Sequence, residues 1–195
     1  IVYVDDGIFI GNSDDQLLSA IAELQGLGLK IEDQGHPADY VGVNIKKLVG
    51  GGFEFTQRAL IDSIISDVGV AGTPTKPVPA KAHVMLTASK DQPKFALHFD
   101  YRSVTGKLNY LAQTSRPDIM YAVHQIARFS ADPRESHGEA VLYLARYLMK
   151  TRDLGIRFQP DPTKGFECYC DADFSGNWNK SLAARDPATS KSRSG

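Results

Sequence analysis

Apolar positions along this chain recur with two periods, and each change of period marks an element. Residues 1–11, Ile-Val-Tyr-Val-Asp-Asp-Gly-Ile-Phe-Ile-Gly, form two β-rich runs around Asp5, Asp6 and Gly7, and Asp-Gly between such runs predicts a tight hairpin. Ser13 opens a helix with Gln16 in capping-box spacing, and Leu17, Leu18, Ile21, Ala22 and Leu24 follow at helical spacing until Gly26 or Gly28. Residues 29–33 read as a short strand. A second hairpin runs from Tyr40 through Gly50-Gly51-Gly52 to Gln57, and residues 57–68 form an amphipathic helix stopped by Gly69.

The pattern then breaks. Pro74, Pro77, Pro79 and Pro93, with few periodic apolar positions, mark residues 71–100 as a connecting segment. Three helices are predicted next: 101–114 on the stripe Val104, Leu108, Leu111; 117–130 with Pro117 in its first turn; and 135–150 on Ala140, Leu144, Tyr147, Leu148. Residues 151–165 read as a tether. Strands are predicted at 154–159 and 166–174, across the turn Pro160-Asp161-Pro162. The stretch from Gly176 to Gly195 is loop-like.

The chain has 195 residues with 22 Lys+Arg and 23 Asp+Glu, a formal net charge of -1. This excludes a histone-like polycation, a collagen and a strongly biased disordered tail. No apolar run approaches the roughly 20 residues of a membrane helix, so a soluble protein with no membrane partner is expected. The near-zero net charge hides an asymmetry: residues 1–72 carry -7 and residues 101–152 carry +4. An acidic front beside a basic middle fits a carboxylate metal site next to a nucleic-acid-binding surface, although solvated helix faces give the same sums. Cys168 and Cys170 stand two apart in a predicted strand, without the further Cys/His spacing of a zinc site, and read as reduced thiols. Ile1 starts the chain inside a strand, which predicts a fragment of a longer protein.

Asp5 and Asp6 carry the candidate chemistry. Adjacent carboxylates in a turn are either solvated or bind a divalent cation. Apolar stems on both sides are expected to bury the hairpin and hold the acidic tip rigidly, as two-metal phosphoryl transfer requires.

Tyr3-Val4-Asp5-Asp6 with Gly7-Ile8-Phe9-Ile10 resembles the active-site hairpin of reverse transcriptases of copia-type LTR retrotransposons. The later blocks follow that family's order: Tyr40-Val41-Gly42-Val43-Asn44-Ile45, Phe53 to Gln57, Tyr101 to Leu111, Arg116-Pro117-Asp118-Ile119, Pro133, His137 and Arg146-Tyr147-Leu148. Tyr169-Cys170-Asp171-Ala172-Asp173 resembles the opening of the attached ribonuclease H domain, with Cys170 where Ser or Thr is usual and a lengthened stretch at 177–188.

The resemblance implies an α+β fold: the end of a palm at 1–70, a connecting segment at 71–100, a helical thumb-like region at 101–150, a tether at 151–165 and a truncated start of ribonuclease H at 166–195. It implies that Asp5, Asp6 and Asp171 are catalytic metal ligands for Mg²⁺. Tyr3, Val4, Tyr40, Val41 and Gly42 would contact the primer. Arg102, Lys107, Arg116, Arg128, Arg146 and Lys150 would contact phosphates. The parent enzyme would be an RNA-directed DNA polymerase acting on an RNA/DNA primer–template with dNTPs, cut from a Pol polyprotein inside the cell, in a cytoplasmic virus-like particle. A third palm aspartate, the fingers and the remaining ribonuclease H acids would lie outside this chain, so it is expected to be inactive alone. The alternatives are a non-catalytic nucleic-acid-binding remnant of a decayed element, or an unrelated α+β domain with a chance Asp-Asp turn.

Overall fold

The computed structural model describes residues 2–11, 13–82, 84–88, 91–159, 161, 163–165, 168–170, 180 and 183–184. Its elements run β1 (Val2–Tyr3), β2 (Asp6–Gly7), α1 (Asp14–Gly26), β3 (Asp39–Tyr40), β4 (Val43–Lys47), β5 (Phe53–Thr56), α2 (Arg58–Asp67), α3 (Tyr101–Thr114), α4 (Met120–Ala127), α5 (Glu135–Lys150) and β6 (Ile156–Phe158). The periodic stripes become a single helical core. Ile61 and Ile64 of α2, Leu108 and Leu111 of α3, Ile126 of α4, and Leu144 and Leu148 of α5 are at most 1% exposed. Burying each such side chain contributes about 1.5–3 kcal/mol. Helix α2 precedes the connecting segment yet shares this core, so the boundary read at 71–100 runs between stretches that pack together.

Strands β3, β4, β5 and β6 form an antiparallel sheet in that order. Strand β6 lies inside the segment expected to be a tether and pairs with β5. Its docking depends on two glycines: a Cβ on Gly52 would stand 2.1 Å from the Phe158 carbonyl oxygen, and one on Gly155 would stand 2.1 Å from that of Phe55. The Phe55 and Phe158 rings meet at 5.0 Å, and Arg157 donates to Glu54 at 2.6 Å across the pair. Residues 168–170 carry no strand, and the rest of 166–174 lies outside the described residues. No strand forms at 29–33 either, since this stretch finds no pairing edge.

The connecting segment is irregular but attached. Phe95 N–H donates to Pro133 C=O at 3.2 Å, and Glu135 N–H to Pro93 C=O at 3.1 Å, around a Lys94–Arg134 bridge. His137, wholly buried and stacked 3.9 Å from Phe129, accepts the Arg134 N–H on Nδ1 at 2.9 Å. Its Nε2–H then donates to the Thr87 carbonyl at 2.9 Å. This fixes the neutral tautomer, and desolvation by burial holds the imidazole below its ordinary pKa. No helix among the described residues is long and apolar enough to cross a membrane.

Arg116 is the least expected core residue. Its side chain is 2% exposed, and four of its five N–H donors are used. Nε and a terminal nitrogen grip the two oxygens of Asp118, both at 2.8 Å; the Thr151 carbonyl accepts at 2.9 Å and the Thr151 hydroxyl at 2.8 Å. Tyr147 O–H donates to the same Asp118 at 2.8 Å. Burial works to raise the Asp118 pKa, but the bonds from Arg116 and Tyr147 more than offset it and hold the carboxyl below its usual value.

Two outcomes are expected. Arg116→Lys, which cannot reproduce the forked contact, should destabilise the fold by about 2–4 kcal/mol in urea unfolding. The imidazole of His137 is charged more readily when unfolded than when folded. Stability should therefore decline as pH falls through about 6.5, the ordinary histidine value. Urea midpoints across this range read the effect, and a flat profile would contradict it.

Candidate functional site

The β1–β2 register pairs Val2 with Gly7 and Tyr3 with Asp6, which leaves Val4 and Asp5 as the two-residue turn. The turn therefore sits two residues earlier than the Asp-Gly signal suggests: Asp6 and Gly7 belong to the returning strand. Val4 has φ 55°, a left-handed conformation unfavourable for a β-branched residue. Strained turns of this kind cluster at working sites.

Asp5 and Asp6 are both exposed at this tip. Among the described residues neither carboxylate is hydrogen-bonded or ion-paired, and no group of three or more Cys, His, Asp or Glu converges on a metal position. Two unneutralised neighbouring carboxylates do fit Mg²⁺, which takes one or two carboxylates and completes its octahedron with water and phosphate oxygens. The expected burial of the hairpin stems does not occur. Val2 and Ile10 are each 77% exposed, and among the described residues β1 and β2 pair with each other alone. Helix α1 buries no residue either, and the Ser13 side chain makes no cap bond. Asp171 lies outside the described residues, as does the side chain of Tyr3.

The second candidate hairpin is tighter than a strand reading implies. Tyr40 pairs with Val43, so Val41 and Gly42 are the turn, with φ 50° and 75°. Positive φ at both central residues is the type I′ geometry that matches strand twist. Tyr110 of α3 donates to the Val41 carbonyl at 2.6 Å and so ties this hairpin to the helical core. The Tyr40 hydroxyl is buried without a hydrogen-bond partner.

The six cations expected on phosphates separate into two groups. Arg116 is buried and committed to Asp118 and Thr151, so it is a structural residue; its place in the turn between α3 and α4 turns it inward. Lys107 is also committed, to Asp67 at 2.6 Å and Ser63 at 2.7 Å, which neutralises its charge. Arg102 remains exposed with Nε on the Ser130 carbonyl, and Lys150 is exposed at the end of α5. Arg128 and Arg146 are half-buried: Arg128 donates to Gln125 at 3.1 Å, and the Arg146 Nε is shielded from solvent.

Lys76 and Lys81 stand in no periodic stripe or motif, yet their ammonium groups lie 5.3 and 5.8 Å from the Tyr143 ring centroid. Their only trace in the sequence is the basic excess of residues 73–100.

No protein-family model matches the chain, and no solved structure matches it. Curated relatives do. The chain is 31% identical over 186 residues to the retrovirus-related Pol polyprotein from transposon RE1 of Arabidopsis thaliana, covering 91% of this chain and 12% of that protein. Against the retrovirus-related Pol polyprotein from transposon TNT 1-94 of Nicotiana tabacum it is 27% identical, over 91% of this chain and 14% of the relative. It is 28% identical to a putative transposon Ty5-1 protein of Saccharomyces cerevisiae, over 88% of this chain and 55% of the relative. The chain thus spans about an eighth of the length of the Pol polyproteins it matches.

The turn at 41–42 yields a clean test of backbone strain. A Cβ on Gly42 would meet nothing within 4 Å, so Gly42→Ala carries only the positive-φ penalty and should lower stability by about 1 kcal/mol. Val41→Asn, better suited to this conformation, should shift the urea midpoint the opposite way.

Proposed function

We propose, from the premise that this chain is a relative of retrovirus-related transposon Pol polyproteins, that it is a reverse transcriptase segment running into the start of ribonuclease H. The colinear similarity over nine tenths of the chain carries this reading. The exposed Asp5–Asp6 tip on a strained two-residue turn supports it. In the whole enzyme the activity would be RNA-directed DNA synthesis.

Asp5 and Asp6 would hold Mg²⁺, which when bound neutralises charge developing on the phosphoryl oxygens. Their mutual repulsion, unrelieved by any described cation, favours capture of a divalent ion. The 41–42 hairpin, held to α3 by Tyr110, would be the primer-positioning element. Arg102, Arg128, Arg146 and Lys150 would contact the duplex backbone, while Arg116 and Lys107 hold the scaffold that presents them. The chain alone would bind without polymerising, since two carboxylates are an incomplete two-metal set.

The test uses Mn²⁺ and a primed RNA template. Mn²⁺ should broaden the NMR signals of residues 4–8, and Asp5→Asn with Asp6→Asn should abolish the broadening. Duplex binding should weaken with salt, and Arg102→Ala and Lys150→Ala should each reduce the log–log salt slope by about 1. Lys107→Ala should leave that slope unchanged. Broadening that survives the double aspartate variant, or salt-insensitive binding, would sink the reading, and nucleotide incorporation by this chain would overturn its inactivity.

A further inference from the structure

A second recess lies far along the sequence from the carboxylate hairpin. A cavity of about 220 Å³ opens between residues 79–81 and 84–87 of the connecting segment and helices α4 and α5. Met85, Leu86 and Ile126 give it apolar walls, and Tyr121 and Tyr143 give it aromatic ones. The wall is fixed in place rather than loosely laid on. His137 holds the Thr87 carbonyl, and Ser136 holds the side chain of Gln92.

Two features give this cavity chemical direction. Gln125, only 6% exposed, lines it; the amide oxygen accepts from Arg128, while the buried Nε2 has no hydrogen-bond partner. A buried amide N–H without an acceptor costs about 1–3 kcal/mol, so the site favours a ligand that brings one. Lys81 and Glu139 line the cavity, and Lys76 lies beside it over the same Tyr143 ring; among the described residues neither lysine is ion-paired. Two cations against one carboxylate leave a net positive charge at this mouth, which attracts an anion.

We propose that this cavity is a nucleotide pocket that takes one heterocyclic base, with the attached phosphate held outside by Lys76 and Lys81. A base supplies what each lining group lacks. Its flat face stacks on tyrosine, and a ring nitrogen or carbonyl on its edge accepts from Gln125 Nε2. The volume falls below the roughly 300–1,000 Å³ of pockets for drug-sized ligands and so suits one ring system. The ligand is either a free nucleoside monophosphate or one unpaired nucleotide of a strand, since both present the same base and phosphate. The proposal goes beyond the polymerase reading and does not use Asp5 or Asp6.

The experiment titrates the full chain by calorimetry with AMP, GMP, CMP and UMP, with inorganic phosphate, and with a single-stranded tetranucleotide. Saturable binding of at least one monophosphate or of the tetranucleotide is expected, at least tenfold tighter than inorganic phosphate. Gln125→Leu should weaken it about tenfold or more through loss of the base contact. Lys76→Ala with Lys81→Ala, which keeps the Lys76 backbone bond to Arg146, should weaken it similarly; this variant keeps the test decisive if Gln125→Leu does not fold. Binding of monophosphates identifies a free-nucleotide site, and binding of the tetranucleotide alone identifies a strand site. No saturable binding of any probe would overturn the proposal. So would binding that is unchanged in the lysine variant, or inorganic phosphate binding as tightly as the nucleotides.

Discussion

A guanidinium taken out of water must find a partner for nearly every N–H, and this requirement organises the helical half of the molecule. Arg116 sits where the chain leaves α3, and its bonds reach Asp118 before α4 and Thr151 after α5. Tyr147 closes the circuit on Asp118, and the Arg116 guanidinium lies 5.6 Å from its ring. The beginning of α4 and the end of α5 are thereby held at one point. A neighbouring polar pair extends the arrangement: Ser115 donates to Gln57 at 2.8 Å, which fastens the end of α3 to the start of α2. Removing one member of such a set leaves a buried charge unpaired, which is why its geometry constrains everything packed around it.

The sheet hangs on this helical body through short, specific contacts. Tyr110 reaches the Val41 carbonyl from α3, and β6 returns from α5 to cover β5. On the outer side of α5, the connecting segment is fastened by backbone pairing at 93–95 and by His137. In contrast, the carboxylate hairpin and α1 bury almost nothing among the described residues. The residues with the strongest chemical signal thus lie on the part with the least internal support, while the firmest packing surrounds groups whose role is structural.

How legible this was depended on whether a residue acts locally. The helices at 101–114 and 135–150 keep the bounds that their periodicity predicts, because an amphipathic stripe is a local property. The β4–β5 hairpin across Gly50-Gly51-Gly52 was legible for the same reason, whereas the turn at 41–42 was not. The apolar stems of the first hairpin and the residues at 29–33 misled: their hydrophobicity predicts burial or pairing, yet both need an edge or a surface supplied from elsewhere. Asp5 and Asp6 stand out in the sequence as a candidate site because adjacency alone raises their mutual repulsion. Gln125, Lys76 and Lys81 were not, since nothing in their spacing marks one cavity.

The sequence by itself determined the helical core, the acidic tip and the relationship to transposon Pol polyproteins, since each rests on local pattern or on the order of motifs. Only the tertiary structure decided which cations are free. Arg116 and Arg102 look alike in sequence, but one is enclosed by Asp118 and Thr151 and the other faces solvent. The reason is that a charge's availability depends on its partners and burial, and both are set by residues distant in the chain.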